Sequence, residues 1–424
     1  VLVLAAALAA CGGGGGASST PFGSSPFTPA PSSAPTSAPS TAPTVAPDQP
    51  PLASEHAPSG FEARVVANVS GARELAALPN GDLIVGTTGG NVAIVPGAEN
   101  AGKAGAAGTF ATVGDSPANG VAYGSGFVFV ATQHGVWRIP YASGAQSGTP
   151  QKIASVRTGP VSPGTDGDVH TTSSVAVSGS TLYAGVGSSC NACTETDPTR
   201  ATVQRMGIDG SGMTTQARRF RNAIALATDP ATGTVWAGGA GQDDLTEGHP
   251  YEFLDPVSTR TAPADYGWPD CEENHVAYVA RAICTNVVVP ALEFPAYSTI
   301  IGAAFYPASQ GGAYAFPAAW RGGMYVSMHG SWHLNGSGVP FDPPHVAFVP
   351  FAGGLPARAV DWSDPTTQWT DFFTGFQDGS GNRSGRTTGV AVGASGSLFV
   401  ADDQTGNIYR IRPAGAAGAA LRRR

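Results

Sequence analysis

Charge is what this 424-residue chain has least of: Asp, Glu, Lys and Arg make up 12% of it, about half the roughly 25% usual in soluble domains. The balance is acidic, with a formal net charge of -8 and a pI near 5.4. The only basic run is Arg422 to Arg424, so the clustered Lys and Arg that bind phosphate backbones are lacking and nucleic acid is excluded as a partner. Sustained helical periodicity is absent too. With 58 glycines and 35 prolines, that absence points to many short strands joined by tight turns, an all-β chain. A single CxxC occurs, Cys190-Asn191-Ala192-Cys193, and no second one supplies the rest of a zinc site. Thr194 follows Cys193 where a haem attachment motif needs His.

The chain opens on VLVLAAALAAC, an apolar run ending Leu8-Ala9-Ala10-Cys11. This has the form of a bacterial lipobox, in which a signal (residues 1–10) is cut before a Cys that becomes acylated. Gly12 to Gly16 and a Pro/Ser/Thr/Ala-rich stretch follow to about Pro58. Such composition buries no core, so 11–58 is expected to be a disordered tether on a lipidated Cys11, with the membrane met only through that anchor. The expected location is the exported, lipid-anchored side of a bacterial envelope. Exported thiols oxidise. Cys271 and Cys284 would close a short loop worth on the order of 3 kcal/mol. Cys190 and Cys193 form a tight disulfide, a metal half-site or a redox pair, of which the disulfide is favoured.

From Gly60 onward one unit recurs: an apolar strand, a turn containing Gly, and a second apolar strand. Copies begin at Leu75, Val121, Val175, Ile224 and Val390, with a degenerate one after Gly302. Six copies over roughly 350 residues fit a six-bladed β-propeller of four-stranded antiparallel blades, spanning 60–413 and followed by a disordered tail, 414–424. One blade cannot bury both of its faces, so neighbours packed around an axis supply the core. The long irregular stretches Gln242 to Phe294 and Gly330 to Arg386 are expected as loops over one face, where propeller function gathers.

His170 stands immediately before the inner strand of its unit. Asn119, the pair Arg221-Asn222, and Arg386 hold the same relative place in theirs. In a closed ring these positions share one mouth. A His there is a candidate general base, and the Arg and Asn side chains suit a small ligand carrying several carboxylates.

The motifs DVHTTSSVAV at Asp168, GVGSSCNACTETDP at Gly185, FRNAIALATDPATGTVW at Phe220, AGQDDL at Ala240, DYGWPDC at Asp265, MHGSW at Met328 and GRTTGVAV at Gly385 occur in order. Together they resemble the pyrroloquinoline quinone (PQQ) dependent sugar dehydrogenases, namely soluble glucose dehydrogenase and the L-sorbosone dehydrogenase-like proteins, over about Phe61 to Arg412. The resemblance implies that His170 takes the sugar hydroxyl proton while hydride passes to PQQ, with Asp168 orienting the ring. It further implies that Arg221, Asn222, Arg386 and Asn119 contact the cofactor, with His329 near the place of a family lysine. Ca²⁺ would sit on the carbonyls of Ala240, Gly241 and Gln242, beside Asp243 and Asp244, as a hard cation among oxygens. The substrate would be a sugar, aldose or related polyol, and the electron acceptor an external one that the sequence does not name.

The chain departs from the family pattern in three places, one of them the family lysine, for which it has no clear match. Ser173-Ser174 stand where an Arg commonly follows the histidine, and Ala223 replaces the Pro after Arg-Asn. Fewer fixed positive charges imply weaker PQQ binding. Two other readings therefore remain: a Ca²⁺-dependent propeller hydrolase of the lactonase type, with carboxylate and Asn ligands converging down the channel, and a propeller that binds without chemistry.

Overall fold

The computed structural model describes residues 52 and 54–415, apart from 101, 143, 144, 147, 164–166, 247, 272 and 273. Cys11, the 1–10 segment and the tail from 416 lie outside the described residues. Within them the chain is all-β with no α-helix, and six sheets, three of four strands and three of five, follow one another in sequence.

Blade 1 runs Ala72–Ala77, Leu83–Thr87, Asn91–Val95, Gly108–Thr112, each strand pairing antiparallel with the next. The inner strands of the other five are Gly120–Gly124, Ser173–Ser178, Ala223–Thr228, Ile300–Tyr306 and Thr387–Val392. Each inner strand touches the inner strand of both neighbouring blades, and the last touches the first, which makes the set a ring. Blade 6 is completed from the other end of the chain, because Phe61–Asn68 pairs antiparallel with Asn407–Pro413 as its outermost strand. The expected six-bladed propeller is therefore the observed fold, and its degenerate copy is blade 5, built on Ile300–Tyr306 and Gly323–Met328.

Three expectations need correcting. The stretch from Gln242 to Phe294 is not all loop: Glu252–Asp255 and Leu292–Phe294 are the outer strands of blade 4, and Ala264–Asp265 adds a parallel fifth strand to blade 3. The stretch from Gly330 to Arg386 likewise contains His345–Ala352, Leu355–Pro356 and Thr370–Phe373 of blade 5. Apart from His345–Ala352, these outer strands are two to four residues long, and Pro250, Pro256 and Pro263 stand beside them, which leaves too few residues for a period-2 pattern to register. The tether also ends earlier than Pro58. His56 exchanges backbone hydrogen bonds with Thr374, and Glu55 accepts one from Ser384 Oγ at 2.8 Å.

Apolar residues alternate into the spaces between blades, giving six large clusters rather than one core. The most aromatic lies between blades 5 and 6, where Phe61 of the closing strand meets Phe316 at 4.7 Å and Phe372 at 5.2 Å between ring centroids. Both cysteine pairs are disulfides, Cys190–Cys193 and Cys271–Cys284.

Closure should thus depend on Phe61. Because this ring is half-buried, Phe61→Ala should cost about 2–3 kcal/mol, under the roughly 3–5 of a fully buried phenylalanine. Denaturant unfolding measures it, and an unchanged midpoint would deny the closing strand this role.

Candidate functional site at the N-terminal mouth of the channel

All six inner strands enter the ring from the same end, so whatever precedes them is delivered to one mouth. His170 lies three residues before its strand, Asn119 and Asn222 one before, and Arg386 one before. His329 reaches the same end as the residue after Gly323–Met328. The inner strands also bound an open cavity of about 350 Å³, lined by Leu75, Val121, Val175, Leu226, Ala303 and Val390 and by no Asp, Glu, Lys, Arg or His.

The imidazole of His170 is fixed through Nδ1, which lies 3.0 Å from Ser188 O and 2.9 Å from Ser188 Oγ. A carbonyl can only accept, so Nδ1 carries the proton and Nε2 presents its lone pair. Desolvation, then the Arg221 cation, pushes the pKa of this ring down to about 3. Gly187 is what lets the histidine sit there. A Cβ at this position would lie 2.5 Å from His170 Cβ and 2.7 Å from Asn222 Oδ1, so only glycine admits both side chains.

Arg221 is buried, and burial lowers its pKa against the pull of Asp243. Its Nη2 donates to Asp243 Oδ2 at 2.8 Å, and the other oxygen of that carboxylate accepts from His333 Nε2 at 3.0 Å. Asp243, expected among the metal ligands, is therefore engaged on both oxygens by nitrogen partners. Ala240 O faces Arg221 Nη1 at 3.5 Å, Gly241 packs against Pro250, and Gln242 Oε1 is buried with no partner. Asp244 occupies the left-handed region at φ 67°.

On the opposite wall Arg386 donates to His329 O at 3.0 Å and Gly330 O at 2.8 Å; burial and the nearby Arg383 lower its pKa to about 10, so it stays charged at neutral pH. His329 donates from Nε2 to Asp403 Oδ1 at 2.9 Å, and burial outweighs that contact to bring its pKa to about 4. Asp403, which burial alone would raise, is held at about 2 by His329 and by Arg73, whose Nη1 lies 2.6 Å away.

Asp168 does not orient His170. Its Oδ2 accepts from Arg200 Nη1 at 2.8 Å, and the ring is held by Ser188 instead. Sequence reasoning also missed three arginines near this mouth. Arg157 is buried and donates to His170 O at 2.8 Å, Thr172 O at 2.9 Å and Ser173 Oγ at 2.7 Å, while Arg200 and Arg73 stand behind the two walls. Arg73 was findable, because it precedes Leu75 by the same two residues that separate Asn119 from Val121 and Asn222 from Ile224. Arg157 follows the outer strand of blade 2 and Arg200 lies at the end of the insertion between the second and third strands of blade 3, so neither leaves such a signal.

The polar atoms buried with no hydrogen-bond partner at this mouth include the neutral amide atoms Nδ2 and Oδ1 of Asn119, Oδ1 of Asn222 and Oε1 of Gln242. Unsatisfied groups of this kind are costly to bury and are expected where a ligand completes them. Among cations, with neutral amides presented inward, the donor chemistry fits a polycarboxylate carrying further oxygens. The oxygen of Gln242 with the backbone of 240–244 fits a hard cation.

Comparison with known proteins agrees on the architecture. The TrAA12-like family matches residues 270–414, and no curated protein matches the chain by sequence. Three solved structures superpose over nearly their whole length. The PQQ domain of pyranose dehydrogenase from Coprinopsis cinerea has TM-score 0.69 and 18% identity, covering 84% of this chain and 97% of that one. An AA12 enzyme from Trichoderma reesei in a calcium structure has TM-score 0.68 and 19% identity, covering 85% and 97%. The PQQ-bound aldose sugar dehydrogenase of Streptomyces coelicolor has TM-score 0.55 and 19% identity, covering 84% and 99%.

The depressed pKa of His170 predicts its charge state directly. Its folded value lies below the usual 6.5 or so, so the neutral ring persists as pH falls through 6 and 5 and protonates only toward 3. Nitrogen NMR of histidine-labelled protein should show this ring neutral at pH 5 with the proton on Nδ1; a midpoint near 6.5 would contradict the geometry. In sequence the chain is thus similar, over its C-terminal third, to the TrAA12-like family, and in fold to solved structures that include a PQQ-bound aldose sugar dehydrogenase.

Proposed function

We propose that this protein is a PQQ-dependent dehydrogenase oxidising a hydroxyl of a sugar, aldose or related polyol, with Ca²⁺ held beside the cofactor. The observation that carries the reading is the pairing of the unpartnered amide of Asn119 and the unpartnered Oδ1 of Asn222 with a free Nε2 on His170, between a buried Arg221 and a half-buried Arg386. The names of the similar propellers support the same class of cofactor and substrate.

Arg221 and Arg386 would hold carboxylate or quinone oxygens by charge-assisted hydrogen bonds, the amides of Asn119 and Asn222 would complete that contact, and Gln242 Oε1 with the 240–244 backbone would hold the Ca²⁺. When bound, PQQ supplies the acceptor for the hydrogen and electron pair leaving the alcohol carbon. His170 takes the hydroxyl proton on Nε2, and Ser188 keeps Nδ1–H turned away from the substrate. Negative charge seated on Arg221 offsets the cation that depresses the imidazole, so the ring becomes a stronger base with its ligand bound than without. The backbone grip of Arg157 on residues 170 and 172 fixes where that base stands.

A second reading rests on a specific observation as well. Glu74 Oε1 on the inner strand of blade 1 is also buried without a partner, and burial raises its pKa to about 8. Glu74, Asn119 and Asn222 are the donor types a lactonase-like propeller uses around a channel cation. Calcium-dependent lactone hydrolysis by PQQ-free protein would favour that reading.

The deciding experiment adds PQQ and Ca²⁺ to apo protein and follows dye reduction across a sugar panel, alongside calorimetric PQQ binding. Arg221→Ala or Arg386→Ala should each weaken binding by about 1.5–3 kcal/mol, with Lys recovering only part because it lacks the guanidinium fork. His170→Ala should lower turnover roughly 100- to 10,000-fold with cofactor affinity largely kept. A wild type that binds no PQQ would overturn the proposal, and a folded, PQQ-loaded His170→Ala enzyme at full turnover would remove the histidine from it. Export with lipid attachment at Cys11 is proposed on the N-terminal sequence, and release of a Cys11→Ser variant from membranes tests it.

A further inference from the structure

The CxxC loop plays no part in the chemistry above, yet it touches both of the residues on which that chemistry rests. Asn191 lies between the two half-cystines. Its backbone O accepts from Arg221 Nε at 3.1 Å and from Trp268 Nε1 at 3.0 Å. Its side-chain Oδ1 accepts from Arg221 Nη2 at 2.9 Å and from the Asp243 backbone N–H at 2.8 Å. Its Nδ2 donates to Asp243 O at 3.0 Å. One asparagine thus joins the arginine of blade 4, the 240–244 loop and the insertion that carries Trp268.

The same loop reaches the base from its other end. Ser188 Oγ donates to Cys190 O at 2.6 Å, and this fixes the hydroxyl so that it accepts from His170 Nδ1. Ser188 N–H meanwhile donates to Arg221 O at 2.8 Å. The disulfide closes Cys190 to Cys193 across three residues of sequence. It leaves the backbone at Asn191 little freedom, so both of its acceptors stay aimed at Arg221.

We propose that Asn191, held in the Cys190–Cys193 disulfide ring, is a positioning residue that sets Arg221 and the 240–244 loop in register with His170. Every polar atom of its amide is engaged, and engaged only with the cofactor-side machinery. An asparagine serving the loop's own stability would satisfy itself locally, as Asp209 does with Ser211 in an exposed turn. The inference rests on the cofactor role given to Arg221 in the proposed function, but its structural half stands apart from that role.

The test uses the full chain and two variants, Asn191→Ala and the double variant Cys190→Ala/Cys193→Ala. Hydrogen–deuterium exchange of the apo protein comes first, since the Asp243 N–H is bonded to Asn191. Exchange across 240–246 should quicken at least 10-fold in Asn191→Ala while the inner strands keep wild-type protection. PQQ titration of the same samples should show Kd raised about 10- to 100-fold, as expected for lost hydrogen bonds to a charged group. Turnover at saturating PQQ should stay within a few-fold, because Ser188 still holds His170. The double variant keeps Asn191 but opens the ring, and should give a smaller rise in Kd of the same kind. Unchanged exchange at 240–246 would overturn the inference. So would a Kd at the wild-type value in folded Asn191→Ala, or a lowered melting temperature with no change in Kd. If the wild type itself binds no PQQ, the proposed function fails while the exchange measurement still decides whether Asn191 fixes the loop.

Discussion

Everything at the mouth depends on one pairing, that of Phe61–Asn68 with Asn407–Pro413. A propeller blade is a small twisted sheet with two apolar faces, and only a closed ring covers both faces of every blade. Once the two ends of the folded region are zipped into blade 6, the inner strands of blades 1 and 6 lie side by side and the channel has a circumference. Arg73 of blade 1 can then reach Asp403 of blade 6 across 330 positions of sequence. The wall behind His329 is a product of closure and of nothing local.

Within that ring, close approach of backbone does the fine placement. At Gly239 a Cβ would come within 1.6 Å of Asn222 O, and at Gly187 within 2.5 Å of His170. These glycines bring the second strands of blades 3 and 4 against the residues that precede an inner strand. The polar side chains delivered there are then locked by carbonyls rather than by one another. Arg157 holds the carbonyls of 170 and 172, Arg386 those of 329 and 330, and Arg221 that of 191. Guanidinium groups with this anchoring, two of them buried, keep their charge and their orientation, which is what recognition of a planar, oxygen-rich anion requires.

Burial also separates the protonation states. His170 and His329 are driven toward the neutral form, Asp403 is kept ionised by its two partners, and Glu252, fully buried behind Arg221, is raised to about 8. The mouth therefore offers an uncharged base, His170, among fixed cations, while the other neutral imidazole, His329, is tied to Asp403. A ligand bringing negative charge would relieve the electrostatic penalty on the base as it binds, coupling cofactor seating to the readiness of His170.

Much of this was legible in the sequence. Six strand–turn–strand units fixed the class and number of blades, and the in-register polar residues before them named His170, Asn119, Arg221, Asn222 and Arg386, because position before an inner strand is a local property that a repeat transmits. Both cysteine pairs were legible from spacing and context. Only the tertiary structure decided the partners: that Asp168 answers to Arg200 instead of His170, that Asp243 is held by Arg221 and His333, and that Arg157 grips the carbonyls of residues 170 and 172. Those contacts join outer strands and insertions of different blades, whose meeting is set by ring geometry and side-chain reach. A pattern of neighbours along the chain carries no record of either.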